Sequence, residues 1–150
     1  MIWKAKTFDE LTTRELYEIL RSRAEVFVKE QGINYIDEDC VDYRSIHVFG
    51  MEDDRVDAYL RAYEGGKAGN AVKIGRVLTL EHGKGTGTEL MRYAIKKLPD
   101  MTGCRKIIMD AQKHAVPFYE RLGFKVTSDE YLEEGVVHVD MEIELQEGAV

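Results

Sequence analysis

Apolar and polar positions change their spacing several times along the chain, and each change marks an element. Residues 2–8 alternate and predict an opening strand. From about residue 9 to 29 the spacing lengthens. Leu16, Ile19, Leu20, Arg23 and Phe27 share one helical face there, and Gln31-Gly32 ends it. An acidic, irregular stretch follows at 34–43. Residues 47–51 and 56–63 predict a hairpin turning at Asp53-Asp54-Arg55, and a turn at 65–70 leads into a strand over 72–80. Leu90, Met91, Ala94, Ile95 and Leu98 lie on one face of the next helix. Residues 106–111 read as a strand buried on both faces, and 115–122 as a short helix with Pro117 in its first turn and Gly123 as its stop. Strands at 124–127 and 136–145, joined by an acidic loop at 129–135, complete the order β-α-β-β-β-α-β-α-β-β. This is an α/β chain built on one mixed sheet.

Between the strand at 72–80 and the helix stands His82-Gly83-Lys84-Gly85-Thr86-Gly87-Thr88. Its three glycines let the backbone pass close to a ligand with N–H groups turned outward. The helix start adds partial positive charge, equivalent to roughly +0.5 of an elementary charge. Such a site suits a phosphate or pyrophosphate. The GxxxxGK[ST] spacing of a P-loop is absent. The dinucleotide fingerprint GxGxxG begins at Gly83 and Gly85 but has Thr88 in its third place, although Asp110 ends the next strand where a ribose-binding acid would stand. An antiparallel front half, and too little chain afterwards for a doubly wound sheet, count against that reading. A glycine-rich connection with no ligand is the plain alternative.

Composition narrows the class. At 150 residues, 44% hydrophobic and 33% charged, the chain fits one globular domain with a real core, residues 1–150. A net charge of −7 argues against a general nucleic-acid partner. Charge is also uneven: six basic residues face two acidic ones between 82 and 106, while 126–150 carries eight acidic residues and no Lys or Arg. One region is thus suited to an anion and another to a cation, unless both are solvated faces. No apolar run approaches the roughly 20 residues of a membrane span. Residues 1–4 do not open a signal peptide, so a cytoplasmic protein with no membrane partner is expected. Cys40 and Cys104 lie far apart without CxxC pairing, which reads as reduced thiols and no metal site.

A second segment, Ala115-Val116-Pro117-Phe118-Tyr119-Glu120-Arg121-Leu122-Gly123-Phe124, stands one strand after the glycine loop. Together with His82-Gly-Lys-Gly-Thr-Gly it resembles the GNAT family of N-acetyltransferases. The wider text is similar to the ElaA-like branch of that family: Arg23-x-x-Val26-Phe27-Val28-x-Glu30-Gln31, Ile74-Gly75-Arg76-Val77, Ala111-Gln112-x-His114-Ala115 and Gly135-x-x-His138-x-x-Met141. The resemblance spans nearly the whole chain.

It implies a single GNAT-like domain, a mixed central β-sheet flanked by helices with splayed central strands, and acetyl-coenzyme A lying in the splay. The pantetheine arm would pair with the backbone of Val77, Leu78 and Thr79. The pyrophosphate would be cradled by N–H groups across Gly83, Lys84, Gly85, Thr86, Gly87 and Thr88. His82 replaces the family's usual Arg or Gln, and Gln112 replaces an Asn that reaches the pantetheine amide. Tyr119 matches the tyrosine that faces the coenzyme sulfur as general acid. A phenol of pKa about 10 protonating a thiolate of pKa about 8.5 goes uphill by roughly 2 kcal/mol, so a hydrogen bond to the departing sulfur with late proton transfer is the expected role.

An alkylamine of pKa about 10.4 must also lose a proton before it attacks. Glu30, His47, Glu81, His114 and His138 are candidates for the base, and spacing does not choose among them. A backbone N–H near Leu78 is the simplest partner for the oxyanion. The implied reaction is direct attack in a ternary complex, without metal, on a small-molecule or peptide amine. Acidic segments at 37–42 and 129–134 are expected to flank a mouth that draws a cationic acceptor. A catalytically silent acyl-CoA sensor or interaction module is the alternative from another class, a dinucleotide-binding protein a more distant one, and a homodimer through the terminal strands is possible.

Overall fold

In the computed structural model, which describes residues 1–32, 36–65, 70–81 and 83–145, alternation becomes strand wherever one face can be buried. Strands β1 (Ile2–Thr7), β2 (Ile46–Glu52), β3 (Arg55–Glu64) and β4 (Ala71–Thr79) pair antiparallel, each with the next. Strand β5 (Lys106–Gln112) joins β4 in parallel, the two being connected through a helix. Strands β6 (Lys125–Val126) and β7 (Tyr131–Glu133) both pair antiparallel with β8 (Val136–Glu144), which itself lies antiparallel to β5. One mixed sheet results, in the order β1-β2-β3-β4-β5-β8-β6 with β7 beside β8. The predicted α/β class with one mixed sheet is what the chain forms.

Helices α1 (Thr13–Arg23), α2 (Thr86–Thr102) and α3 (Val116–Arg121) divide the burial between two faces. Leu90, Met91, Ala94 and Leu98 of α2 pack on Val48, Leu60, Ile74, Ile107, Met109 and Met141, and Tyr119 and Phe124 join the same cluster. On the other face Ile19 of α1, with Val26 and Phe27, packs on Phe49, Met51, Tyr59 and Leu78. Strand β5 is buried on one face only: Ile107, Met109 and Ala111 are buried, while Ile108, Asp110 and Gln112 are half-buried. The expectation of burial on both faces is thereby corrected, because α1 lies over β3 and β4 and stops there.

The helix expected over 9–29 is three pieces. A 3₁₀ turn at Phe8–Glu10 precedes α1, and a π-helical stretch over Ala24–Glu30 follows it. Thr12 starts α1 with a reciprocal cap: its hydroxyl accepts from the Glu15 N–H at 3.1 Å, and the Glu15 carboxylate accepts from the Thr12 N–H at 2.8 Å. In the π stretch the Gln31 N–H reaches the Val26 carbonyl five residues back, at 2.9 Å. That wider turn lets Val26 and Phe27 both reach the core beside the fully buried Arg23. The acidic loop predicted at 129–135 contains β7, which pairs its short run with β8.

Glu15 also ties β1 to α1, taking Lys4 Nζ at 2.7 Å and Lys6 Nζ at 2.9 Å. Burial pushes its carboxyl up, but Lys4, the Thr12 N–H and Lys6 together outweigh burial and bring it down to about 2. With the folded pKa depressed, this contribution to stability is complete above the unfolded value near 4.5 and fades as pH falls toward 2. Glu15→Gln should therefore flatten the loss of urea midpoint between pH 4.5 and 2. An unchanged slope would show that Glu15 does not set it.

Candidate functional site

Strand β4 carries the irregularity that makes a site. Tyr59 pairs with Leu78 and Arg61 with Gly75, so two steps on β3 oppose three on β4. The extra residue is Arg76, at φ +52°, a conformation costly for a side chain with a Cβ. The bulge reverses the alternation: Val72 and Ile74 face the α2 core, whereas Leu78 faces α1. It also turns β4 away from β5. Their parallel register holds only from Ala71–Lys106 to Ile74–Met109, although β4 runs on to Thr79 and β5 to Gln112. Beyond Ile74 one edge of each strand is free of the other.

A cleft of about 830 Å³ opens at this splay, with Gly75, Arg76 and Val77 on one side and Asp110, Ala111 and Gln112 on the other. Tyr119, Glu133, Glu134 and His138 also line it. Arg61 and Asp39 belong to the wall as well. Lys73 of β4 and Asp110 of β5 bridge the strands at 3.0 Å, just below the point where they part.

Behind that wall sits a network of three guanidinium groups and three carboxylates. Arg23 donates from Nε to Asp37 at 2.8 Å, from Nη1 to Asp42 at 2.7 Å and from Nη2 to the Asp37 carbonyl at 2.9 Å. Arg61 holds Asp39 through both Nη atoms at 2.8 and 2.7 Å and reaches Asp42 at 3.1 Å. Arg76 donates from Nε to Asp37 at 2.9 Å. The bulge that reshapes β4 is thus fixed by its own side chain to the segment arriving from α1. Arg61 holds the Asp39 carboxyl well below its ordinary range. Burial works against ionisation of Asp42, but Arg23 and Arg61 overcome it and lower its pKa. Within 37–42, then, Asp37, Asp39 and Asp42 neutralise internal arginines. Asp39 still lines the cleft, as do Glu133 and Glu134.

The predicted phosphate loop leads into α2. Gly83 (φ +82°) and Gly85 (φ +76°) adopt the left-handed region, and a Cβ at either would meet no atom within 4 Å. Gly85 is the N-cap of α2, so no side chain covers the N–H groups of the first turn. Lys84 extends to Glu81 at 2.6 Å on the surface. Thr86, Gly87 and Thr88 form the half-buried first turn, where Gly87 lies against Phe118 of α3 and the methyl of Thr79. His82 lies outside the described residues.

Of the other expected site residues, Val77, Gln112 and Tyr119 line the cleft. Leu78 is buried under α1, so only its main chain can serve a ligand. Tyr119 is 8% exposed, packed edge-on against Phe118 and Phe124. Burial alone pushes its phenol up to about 12. Among the candidate bases, His47 is buried with both nitrogens engaged, Nδ1 by the Tyr59 hydroxyl at 2.7 Å and Nε2 by the Asp42 carbonyl at 3.0 Å. Burial lowers its pKa. Glu81 is held on the surface by Lys84, which lowers its carboxyl. Glu30 is exposed at the end of the π stretch. His114 and His138 are the two candidates that line the cleft.

Sequence reasoning missed the structural part played by Arg61, Arg76 and Asp39. One signal was present: Arg23 occupied a core-facing helical position, where a cation requires buried anions.

A family model described as an acetyltransferase (GNAT) domain matches residues 21–145. A relative in Schizosaccharomyces pombe is 34% identical over 144 residues, 93% of this chain and 95% of its own. The crystal structure of Escherichia coli ElaA superposes with a TM-score of 0.88 at 30% identity, over 96% of this chain and 100% of that one. An acyl-CoA N-acyltransferase from Pseudomonas aeruginosa does so with a TM-score of 0.87 at 32% identity, over 95% and 99%.

Proposed function

The chain belongs to the ElaA-like branch of the GNAT acetyltransferase family, and from that premise we propose that it moves an acetyl group from acetyl-coenzyme A to a primary amine by direct attack in a ternary complex. The fold supports acyl transfer from acyl-CoA to an amine in general. The observation that carries the finer reading is the splay of β4 and β5 directly before a glycine loop with an uncapped helix start. Free strand edge at Val77, Leu78 and Thr79 suits the amides of a pantetheine arm, and Gln112 stands across the cleft from them. The open backbone over Gly83, Lys84, Gly85, Thr86, Gly87 and Thr88 suits a diphosphate. Tyr119 would meet the sulfur, and no step of this scheme calls for a metal. A single domain over residues 1–150 is part of the reading, supported by strands from both ends of the chain sharing one sheet.

Titrating acetyl-coenzyme A into the protein, with amide shifts and thiol release followed together, tests this. Shifts should concentrate at residues 83–88, and thiol should appear only when an amine is added. Gly85→Ala should weaken coenzyme binding about tenfold, since the new methyl enters the open cradle and strains a left-handed backbone by about 1–2 kcal/mol. It meets no protein atom within 4 Å, so packing will not confuse the result. Undisturbed loop amides would remove the coenzyme reading. Tight binding without thiol release to any amine would instead indicate a sensor.

A further inference from the structure

We propose that His138 is the base that takes the proton from the attacking amine, with Glu133 as its positioning residue; this rests on the acyl-transfer reading above. Nδ1 of His138 lies 2.8 Å from the Val136 carbonyl oxygen. A carbonyl only accepts, so Nδ1 carries the hydrogen in the neutral ring, and Nε2 keeps the lone pair. Nε2 is 3.6 Å from a Glu133 carboxylate oxygen, and both residues line the cleft. The ring is stacked on Tyr131, with the planes 23° apart and the centroids 6.1 Å apart. Its orientation is thereby fixed from two sides. In register, His138 sits directly opposite Gln112, the last residue of β5 and a wall of the splay. His114, the other candidate on the cleft, is exposed on a 3₁₀ turn, and among the described residues no hydrogen bond orients its ring.

The charged and titratable groups around His138 are Glu133 and Tyr131 on β7, Glu134 in the turn, Asp110 on β5, Asp140 on its own strand and Lys113 beyond β5. Tyr131 donates to Asp140 at 2.6 Å and Asp110 pairs with Lys73, while Lys113 pairs with Glu130 at 2.8 Å. Glu133 is thus the carboxylate placed to face an imidazolium at Nε2. In the step, the amine nitrogen bonds to the thioester carbonyl carbon and the C–S bond breaks. One nitrogen proton passes to Nε2 and then to solvent through the open cleft. The second ends on the departing sulfur. The sum is ammonium plus thioester giving amide, thiol and one proton.

His138→Asn is the test, because the Asn amide can still donate to the Val136 carbonyl while no basic nitrogen remains. At saturating amine, kcat should fall about a hundredfold, and the rate that remains should rise with pH only as the amine itself loses its proton. The KM for acetyl-coenzyme A and the unfolding midpoint should stay put. In His138→Ala, added imidazole should restore turnover in proportion to its concentration. Full turnover by His138→Asn with an unchanged profile, or no rescue of His138→Ala, would overturn the assignment while leaving acyl transfer standing. Absence of thioester consumption by the unaltered protein, with loop amides undisturbed by the coenzyme, would overturn both.

Discussion

Arg23→Ala should destabilise the protein by about 3–5 kcal/mol, the usual cost of removing one partner from a buried ion pair. For a chain of this size that corresponds to a loss of about 10 °C in Tm. Arg23 is fully buried and supplies donors to Asp37 and Asp42 from three separate nitrogens. Burial opposes its charge, but the carboxylates of Asp42 and Asp37 outweigh burial and raise its pKa. Without it, two carboxylates remain in a protein interior with fewer cations. The damage should also reach the cleft, since Asp37 is the acceptor that holds Arg76 in the β4 bulge. Arg23→Lys restores the charge but not the planar fork, and should recover less than half of the loss. Urea denaturation of the three proteins measures this. A loss under about 1 kcal/mol for Arg23→Ala would mean the network contributes little beyond what water supplies.

That network marks the boundary of what the sequence makes legible. Strands and helices follow from periodicity because each element's pattern is local: Ile107, Met109 and Ala111 on β5, or Leu90, Met91 and Ala94 on α2, announce their buried faces. The β4 bulge was readable in part, since apolar positions 72, 74 and 77 break an alternation of two with a step of three. The glycine loop could be read because left-handed backbone at Gly83 and Gly85 needs that residue type. The pairing of Asp37, Asp39 and Asp42 with Arg23, Arg61 and Arg76 could not, because it spans separations of 14 to 39 residues. An acidic run reads the same whether solvent or arginine neutralises it. The π-helical stretch after Arg23 was hidden for a related reason: a 3.6-residue face drawn through Arg23 and Phe27 fits the helix before the break and misses the wider turn after it. Five candidate bases likewise became two only when the fold showed which side chains face one cleft.

Tyr119→Phe should lower kcat by about 10²–10³, the usual effect of removing one donor aimed at developing charge, with little change in the KM for acetyl-coenzyme A. The phenol, at about 12, is a weaker acid than in water, and burial is the cause. Handing its proton outright to a thiolate of pKa about 8.5 would go uphill by about 5 kcal/mol, steeper than for an ordinary phenol. A hydrogen bond held to the sulfur as C–S cleavage builds negative charge avoids that climb, and it strengthens as the charge grows. Stability should separate this role from a packing one. Phe keeps the edge-on contacts with Phe118 and Phe124, and no hydrogen bond of the hydroxyl contributes to the phenol's shift. The unfolding midpoint should therefore hold, since the ring contacts stay and the hydroxyl, on the cleft wall, is not a buried polar atom left without a partner. A phenol retained only to fill the core predicts the opposite pair of results, a softened fold and unchanged turnover. Steady-state kinetics beside a denaturation curve on the same sample distinguishes them, and unchanged kcat would remove Tyr119 from the chemistry.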